Sequence, residues 1–216
     1  MNDRTRYGTD HRKISVDYYN EIRSMSEAGR KYVADKLGAL FCENIRIPST
    51  SINPPGQASD PDVEADSGLL LFDDSVTELV FAIIQMPYRT AKDSSIHPHV
   101  HWEKTTSAAG DVAWRIRYKN APVGAVRDAA WTDLGIITTT AEETPDVDTA
   151  DHQLVTGFPK IDLTGTDVEH SVLFEFSRVG GDASDTYGAD ARLIAFDIHY
   201  EVDSFGGYRE GQKQTF

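Results

Sequence analysis

Downstream of Leu40 the chain is cut into eight short apolar runs, each bounded by turn-forming residues, and this rhythm leaves few folds open. The runs are Leu69–Phe72, Leu79–Met86, Ile96–Glu103, Val112–Tyr118, Trp131–Thr140, His152–Phe158, Ser171–Val179 and Leu193–Val202. They are rich in Val, Ile, Phe, Tyr, Trp and Thr and mostly lack a helical period. Several alternate cleanly: Phe174 and Phe176 share a parity against Glu175 and Ser177, and Trp114, Ile116 and Tyr118 share one against Arg115, Arg117 and Lys119. Alternation of this kind marks strands with one buried and one solvated face. The pattern predicts an all-β chain, a jelly-roll-like β-sandwich of about eight strands.

Upstream the period changes. Tyr18, Tyr19, Ile22, Met25, Tyr32, Val33 and Leu37 recur at helical spacing, which predicts an amphipathic α-helical arm over residues 1–40 with those side chains as its attachment or oligomerisation stripe. Ser49–Asp66 is rich in Pro, Ser and Asp and forbids a long helix. The expected organisation is therefore an arm at 1–40, a linker at 41–66, a β-sandwich at 67–204 and a polar tail at 205–216.

Charge and cysteine content remove several function classes. The chain of 216 residues has a net charge of −14. Residues 1–40 hold eight Lys/Arg against six Asp/Glu, so the acid excess lies in the remainder. Such a body repels phosphate backbones, and nucleic-acid binding is not expected. Cys42 is the only cysteine, so an intramolecular disulfide and a CxxC motif are both excluded; between Phe41 and Glu43 it reads as a small packed hydrophobe. No apolar run reaches membrane-spanning length and the first residues lack a secretory h-region, which predicts a protein made in a cytosol with no membrane partner.

The most chemically suggestive stretch is Ile96-His97-Pro98-His99-Val100-His101-Trp102. On a strand, residues at i, i+2 and i+4 share a face, so His97, His99 and His101 form one imidazole row. Two readings stand side by side. The row holds a metal, joined by the later His199, or it is a hydrogen-bonded wall with carboxylates such as Asp197. It resembles part of the cupin signature, but lacks the glycine ahead of HxH, has Glu103 too close behind, and has His199 too far downstream. Pro98 is expected to confine the strand to an edge or a bulge. A single ion on a threefold axis, gathering imidazoles from several chains, is the one cofactor the sequence admits.

Other candidates are weaker. Asp182, Asp185 and Asp190 fall in a turn-rich loop whose spacing does not fit an EF-hand. No GxSxG elbow, Walker loop, HExxH or dinucleotide turn is present, and the chain reads as non-enzymatic. Alternation sends Trp102 and Trp114 inward. Trp131, after the loop 120–130, is the one tryptophan expected to offer a carbohydrate contact.

Seven ordered blocks carry a family likeness: Ile52–Gly56, Gly68–Asp73, His97–Trp102, Trp114–Arg115, Arg178–Ala183, Asp185–Arg192 and Phe196–Ser204. Together they resemble a group of small proteins encoded among the virion genes of tailed bacteriophages, over roughly residues 45–205. The resemblance implies a structural protein of the tail, neck or capsid surface, assembled into the virion in the host cytoplasm. It also implies other virion proteins as partners and a homotrimer docked through the arm. Two alternatives remain open: a cupin-like metalloprotein using the histidine row, and a carbohydrate-binding module that contacts a host-surface glycan.

Overall fold

The computed structural model describes residues 42–52, 54–91, 93–142, 152–166 and 170–202, all within a compact unit spanning Cys42–Lys213. The expected arm, with Tyr18, Tyr19, Ile22, Met25, Tyr32, Val33 and Leu37, and the tail at 205–216 lie outside the described residues.

The described residues form β1 (Cys42–Pro48), a 3₁₀ turn (Ser49–Ser51), β2 (Asp62–Val63), β3 (Leu70–Phe72), β4 (Thr77–Gln85), β5 (Ser95–Lys104), β6 (Gly110–Ala121), β7 (Thr132–Ala141), β8 (Gln153–Gly157), β9 (Ile161–Asp162), β10 (Ser171–Val179) and β11 (Ala191–Glu201). All eight anticipated runs are strands. Three more strands join them, and β1 and β2 fall inside the stretch 41–66 that reads as linker from its composition. β1 escapes notice because only Ile45 and Ile47 carry its inward face, between Glu43, Asn44, Arg46 and Pro48.

The strands make two antiparallel sheets. One runs β2-β3-β11-β5-β8, with β1 also on β11 and β9 also on β5; the other runs β4-β10-β6-β7. β1 and β3 share one flank of β11, because β3 covers Ala191–Leu193 and β1 covers Ala195–Glu201. β8 and β9 share the far flank of β5 in the same way. With those pairs counted as single ranks, the two-residue β2 left aside and the eight ranks numbered afresh in chain order, the order is 1-8-3-6 in one sheet and 2-7-4-5 in the other.

The inner faces meet in an aromatic core. Trp102, Trp114, Phe72, Phe174, Phe176 and Phe196 are fully buried, so both inward-reading tryptophans pack as their parity requires. Phe196 of the first sheet stacks on Phe176 of the second with ring centroids 4.9 Å apart, and Phe72 meets Trp114 edge-on at 5.1 Å. Each such side chain contributes about 3 kcal/mol through removal from water. Trp102 satisfies its indole N–H on Thr156 Oγ1 at 3.0 Å.

Pro98 lies in the middle of the sheet, where its pairing partner is Ile198, so its expected confinement to an edge does not hold. A residue's N–H and C=O point to the same side of a strand. The Pro98 carbonyl accepts from Phe158 N at 3.0 Å, which places its nitrogen toward the β8/β9 flank. There β8 ends at Gly157 and β9 begins at Ile161, so no ladder bond is lost.

Candidate functional site

The histidine face is made by a β-bulge. Along β11, Leu193 pairs with Trp102, but the next paired residue is Ala195, opposite His101. Ile194 is therefore an extra residue, and parity reverses beyond it. Without it, Asp197 and His199 would share the inward face of Leu193. With it they face outward, Asp197 opposite His99 and His199 opposite His97. Arg46 of β1 approaches Asp197 from the other side.

Four imidazoles and one carboxylate thus occupy one face, but only part of the set converges. His99, Asp197 and His199 offer three ligand atoms all within 4.8 Å of one another. His99 Nδ1 lies 3.5 Å from Asp197 Oδ1, and both atoms are buried without a hydrogen-bond partner. The second carboxylate oxygen is occupied: Asp197 Oδ2 lies 3.1 Å from His101 Nε2 and 3.6 Å from Arg46 Nη2. Gln153 Nε2 is 3.2 Å from His101 Nδ1. Because that amide nitrogen can only donate, His101 accepts at Nδ1 and donates from Nε2 to Asp197.

Burial alone would raise the Asp197 carboxyl, yet the surrounding His99, His101 and His199 hold it below its ordinary value. Burial, reinforced by the neighbouring His99, lowers His97. Burial and Arg46 likewise lower His101, against the pull of Asp197. Both therefore stand as neutral imidazoles at neutral pH.

Of the four histidines expected as metal ligands, His99 and His199 converge on the buried carboxylate, whereas His97 and His101 do not. His97 packs its ring on His99 at 4.2 Å, and His101 is spent on orienting Asp197. The row lies over Gly157, where an added Cβ would stand 3.3 Å from His99 Cδ2. His199 opens onto a surface depression lined also by Cys42, Glu43 and Asn44. Cys42 is exposed, not packed as its neighbours in sequence suggested, because it starts β1 on the outer face.

The opposite sheet carries a second feature. Trp131, at the start of β7, lies across the outer face and stacks on Phe81 of β4 with centroids 6.1 Å apart and planes 26° from parallel. Lys119 Nζ sits 4.9 Å from the Trp131 ring centroid and the Arg117 guanidinium 5.8 Å. Lys119 also donates to Ala129 O at 2.7 Å, tying down the loop that delivers Trp131. Arg117 donates to Glu175 at 2.6 Å, and Arg115 pairs with Asp133. Phe81 is 38% exposed and Ile83 65%. The result is an apolar pad rimmed by charges of both signs. Sequence reading found Trp131 but not its partner Phe81, which lies on β4 at the opposite edge of the sheet, so that the indole meets it across β6 and β10.

The aspartate-rich loop is structural. Asp185 pairs with buried Arg178, Asp182 accepts from Ser184, and burial raises Asp190; the three do not gather around one point.

No protein-family model matches the chain, and neither does any curated protein. Solved structures with some likeness include the CBM36-1 domain of a multidomain xylanase from the hindgut metagenome of Trinervitermes trinervoides (8% identity, 72% of this chain, 96% of that chain, TM-score 0.40). Others are a family 35 carbohydrate-binding module from Clostridium thermocellum (10%, 76%, 99%, 0.37) and the insecticidal delta-endotoxin Cry8Ea1 from Bacillus thuringiensis (9%, 74%, 24%, 0.44). At TM-scores this low the likeness carries no argument about what the chain binds.

Proposed function

We propose that the chain is a non-catalytic carbohydrate-binding β-sandwich, with a jelly-roll strand order, that holds a sugar on the outer face of its four-stranded sheet. The observation that carries this reading is the Phe81–Trp131 pair beside Arg117, itself held by the buried Glu175, and Lys119. Pyranose rings present apolar C–H faces that pack on aromatic rings, and their hydroxyls pair with charged side chains at the rim. An exposed aromatic pad flanked by cations supplies both. The strands beneath hold the pad rigid, which limits the entropy lost on binding.

A glycan array with the intact chain, followed by calorimetry on the hits, tests the reading. Binding that falls tenfold or more in Trp131→Ala supports it; a blank array, or hits insensitive to that change, overturns it.

The sequence blocks that resemble virion proteins favour a second reading, in which the chain is a structural component of a tailed-bacteriophage particle attached through residues 1–40, as a homotrimer. Several of those blocks build the scaffold itself, including Arg178 and Asp185. Removing residues 1–40 should leave a folded body that no longer joins the particle. Normal incorporation of the truncated body would sink this attachment.

A further inference from the structure

We propose that His99, Asp197 and His199 form a divalent transition-metal site, suited to Zn²⁺, that clamps the two central strands β5 and β11 together. The site lies on the other sheet from the sugar-binding pad and does not depend on it.

Two facts point to an ion. Asp197 is 1% exposed, and its Oδ1 has no hydrogen-bond partner, although burying an unsatisfied carboxylate oxygen is costly. The atom facing it, His99 Nδ1, is also buried and unpartnered. Their separation of 3.5 Å is long for a charge-assisted hydrogen bond, which runs about 2.7–2.9 Å. It matches the separation of two ligands on one tetrahedral ion: bonds of about 2.0–2.1 Å put neighbouring ligand atoms about 3.4 Å apart.

The donor set selects the metal. Two imidazoles and a carboxylate suit a borderline cation such as Zn²⁺, where an all-oxygen site would suit Ca²⁺ or Mg²⁺. Three protein ligands leave a fourth position for water, and the depression beside His199 gives an entry path. Oδ2 of the same carboxylate is held by His101, so Oδ1 is aimed without rearrangement, as outer partners of metal ligands commonly do. The ligands come from paired strands: Asp197 and His199 are two apart on β11, and His99 stands directly opposite Asp197 on β5.

The test uses the full chain after exhaustive chelation, titrated with Zn²⁺ by calorimetry and with Co²⁺ by visible absorption. One ion per chain is expected, with the intense visible bands of four-coordinate cobalt. His199→Ala, an exposed position, and the isosteric Asp197→Asn should each weaken binding at least tenfold, with circular dichroism of the metal-free chain unchanged. His97→Ala and Cys42→Ser should stay within about threefold of the parent. Absence of binding overturns the proposal. So does equal loss in His97→Ala and His199→Ala, which would mean loose capture by any imidazole on the face. A stoichiometry of one ion per three chains would put the ion on a symmetry axis and overturn a site within one chain.

Discussion

Arg178 and Asp185 meet through two parallel hydrogen bonds, Nε to Oδ2 at 2.9 Å and Nη2 to Oδ1 at 2.8 Å, with both side chains at most 1% exposed. The remaining guanidinium hydrogens go to the carbonyls of Phe72, Ala189 and Tyr187 at 2.6–2.9 Å. Every donor of a buried cation is thus satisfied, and one side chain fastens β3, β10 and the loop before β11. Asp185→Asn keeps the shape but leaves the guanidinium without its counter-charge. The expected loss is about 3–5 kcal/mol, read from the urea midpoint of the full chain. A change below about 1 kcal/mol would show that the pair is not the fastening.

Tyr187 makes the neighbouring joint. Its hydroxyl accepts from Thr105 N at 3.0 Å and Thr106 N at 2.9 Å, while its ring is fully buried. Tyr187→Phe removes only the oxygen and strands two backbone donors at the end of β5. Stability should fall by about 1–3 kcal/mol, and amide exchange should rise first at Thr105 and Thr106. Unchanged protection there would mean that solvent already serves both groups.

Glu78 gives the sandwich a pH dependence. It is 8% exposed, and burial pushes its carboxyl up to about 7 from 4.5, aided by Asp73, Asp62 and Asp190 although the bond from Asp73 N opposes the rise. Between those two values the folded chain holds a proton that the unfolded chain has released. Stability from this group is therefore complete below pH 4.5 and declines as pH climbs through 7, by about 3 kcal/mol at most. Glu78→Gln, which keeps an acceptor for Asp73 N, should remove that part of the slope. A pH profile identical to the parent's would assign the slope elsewhere.

Much of the fold was legible because burial and period agree. Trp114-Arg115-Ile116-Arg117-Tyr118 announces a strand with one solvated face, and it is one. What was hidden depends on single residues that carry no mark. Ile194 is as apolar as its neighbours, so nothing in Leu193–Tyr200 reveals that it is surplus. Plain alternation therefore puts Asp197 and His199 on the face of Leu193, whereas the bulge turns them to join His99. The histidine row itself could be read from parity, but its split into ligands and orienting groups could not. That split turns on Arg46 and Gln153, which reach His101 from strands far apart in sequence. Pro98 misled for a related reason: its cost depends on which flank its nitrogen faces, and only the gap between β8 and β9 settles that.

Lys119 should tune the sugar-binding pad by fixing its indole in place. It holds Trp131 in two ways, through its charge near the indole and through its bond to Ala129 O. Lys119→Met keeps the length of the side chain and removes both. Trp131 then loses its fixed position, and glycan affinity should fall about three- to tenfold, consistent with roughly 1 kcal/mol for a cation–π contact at a partly exposed site. If Lys119 acts only through Trp131, the double variant Lys119→Met/Trp131→Ala should bind no more weakly than Trp131→Ala alone. Calorimetry on the three proteins separates the cases. Additive losses would mean that Lys119 meets the ligand directly, and unchanged affinity in Lys119→Met would mean that Phe81 and the strand beneath already fix the indole.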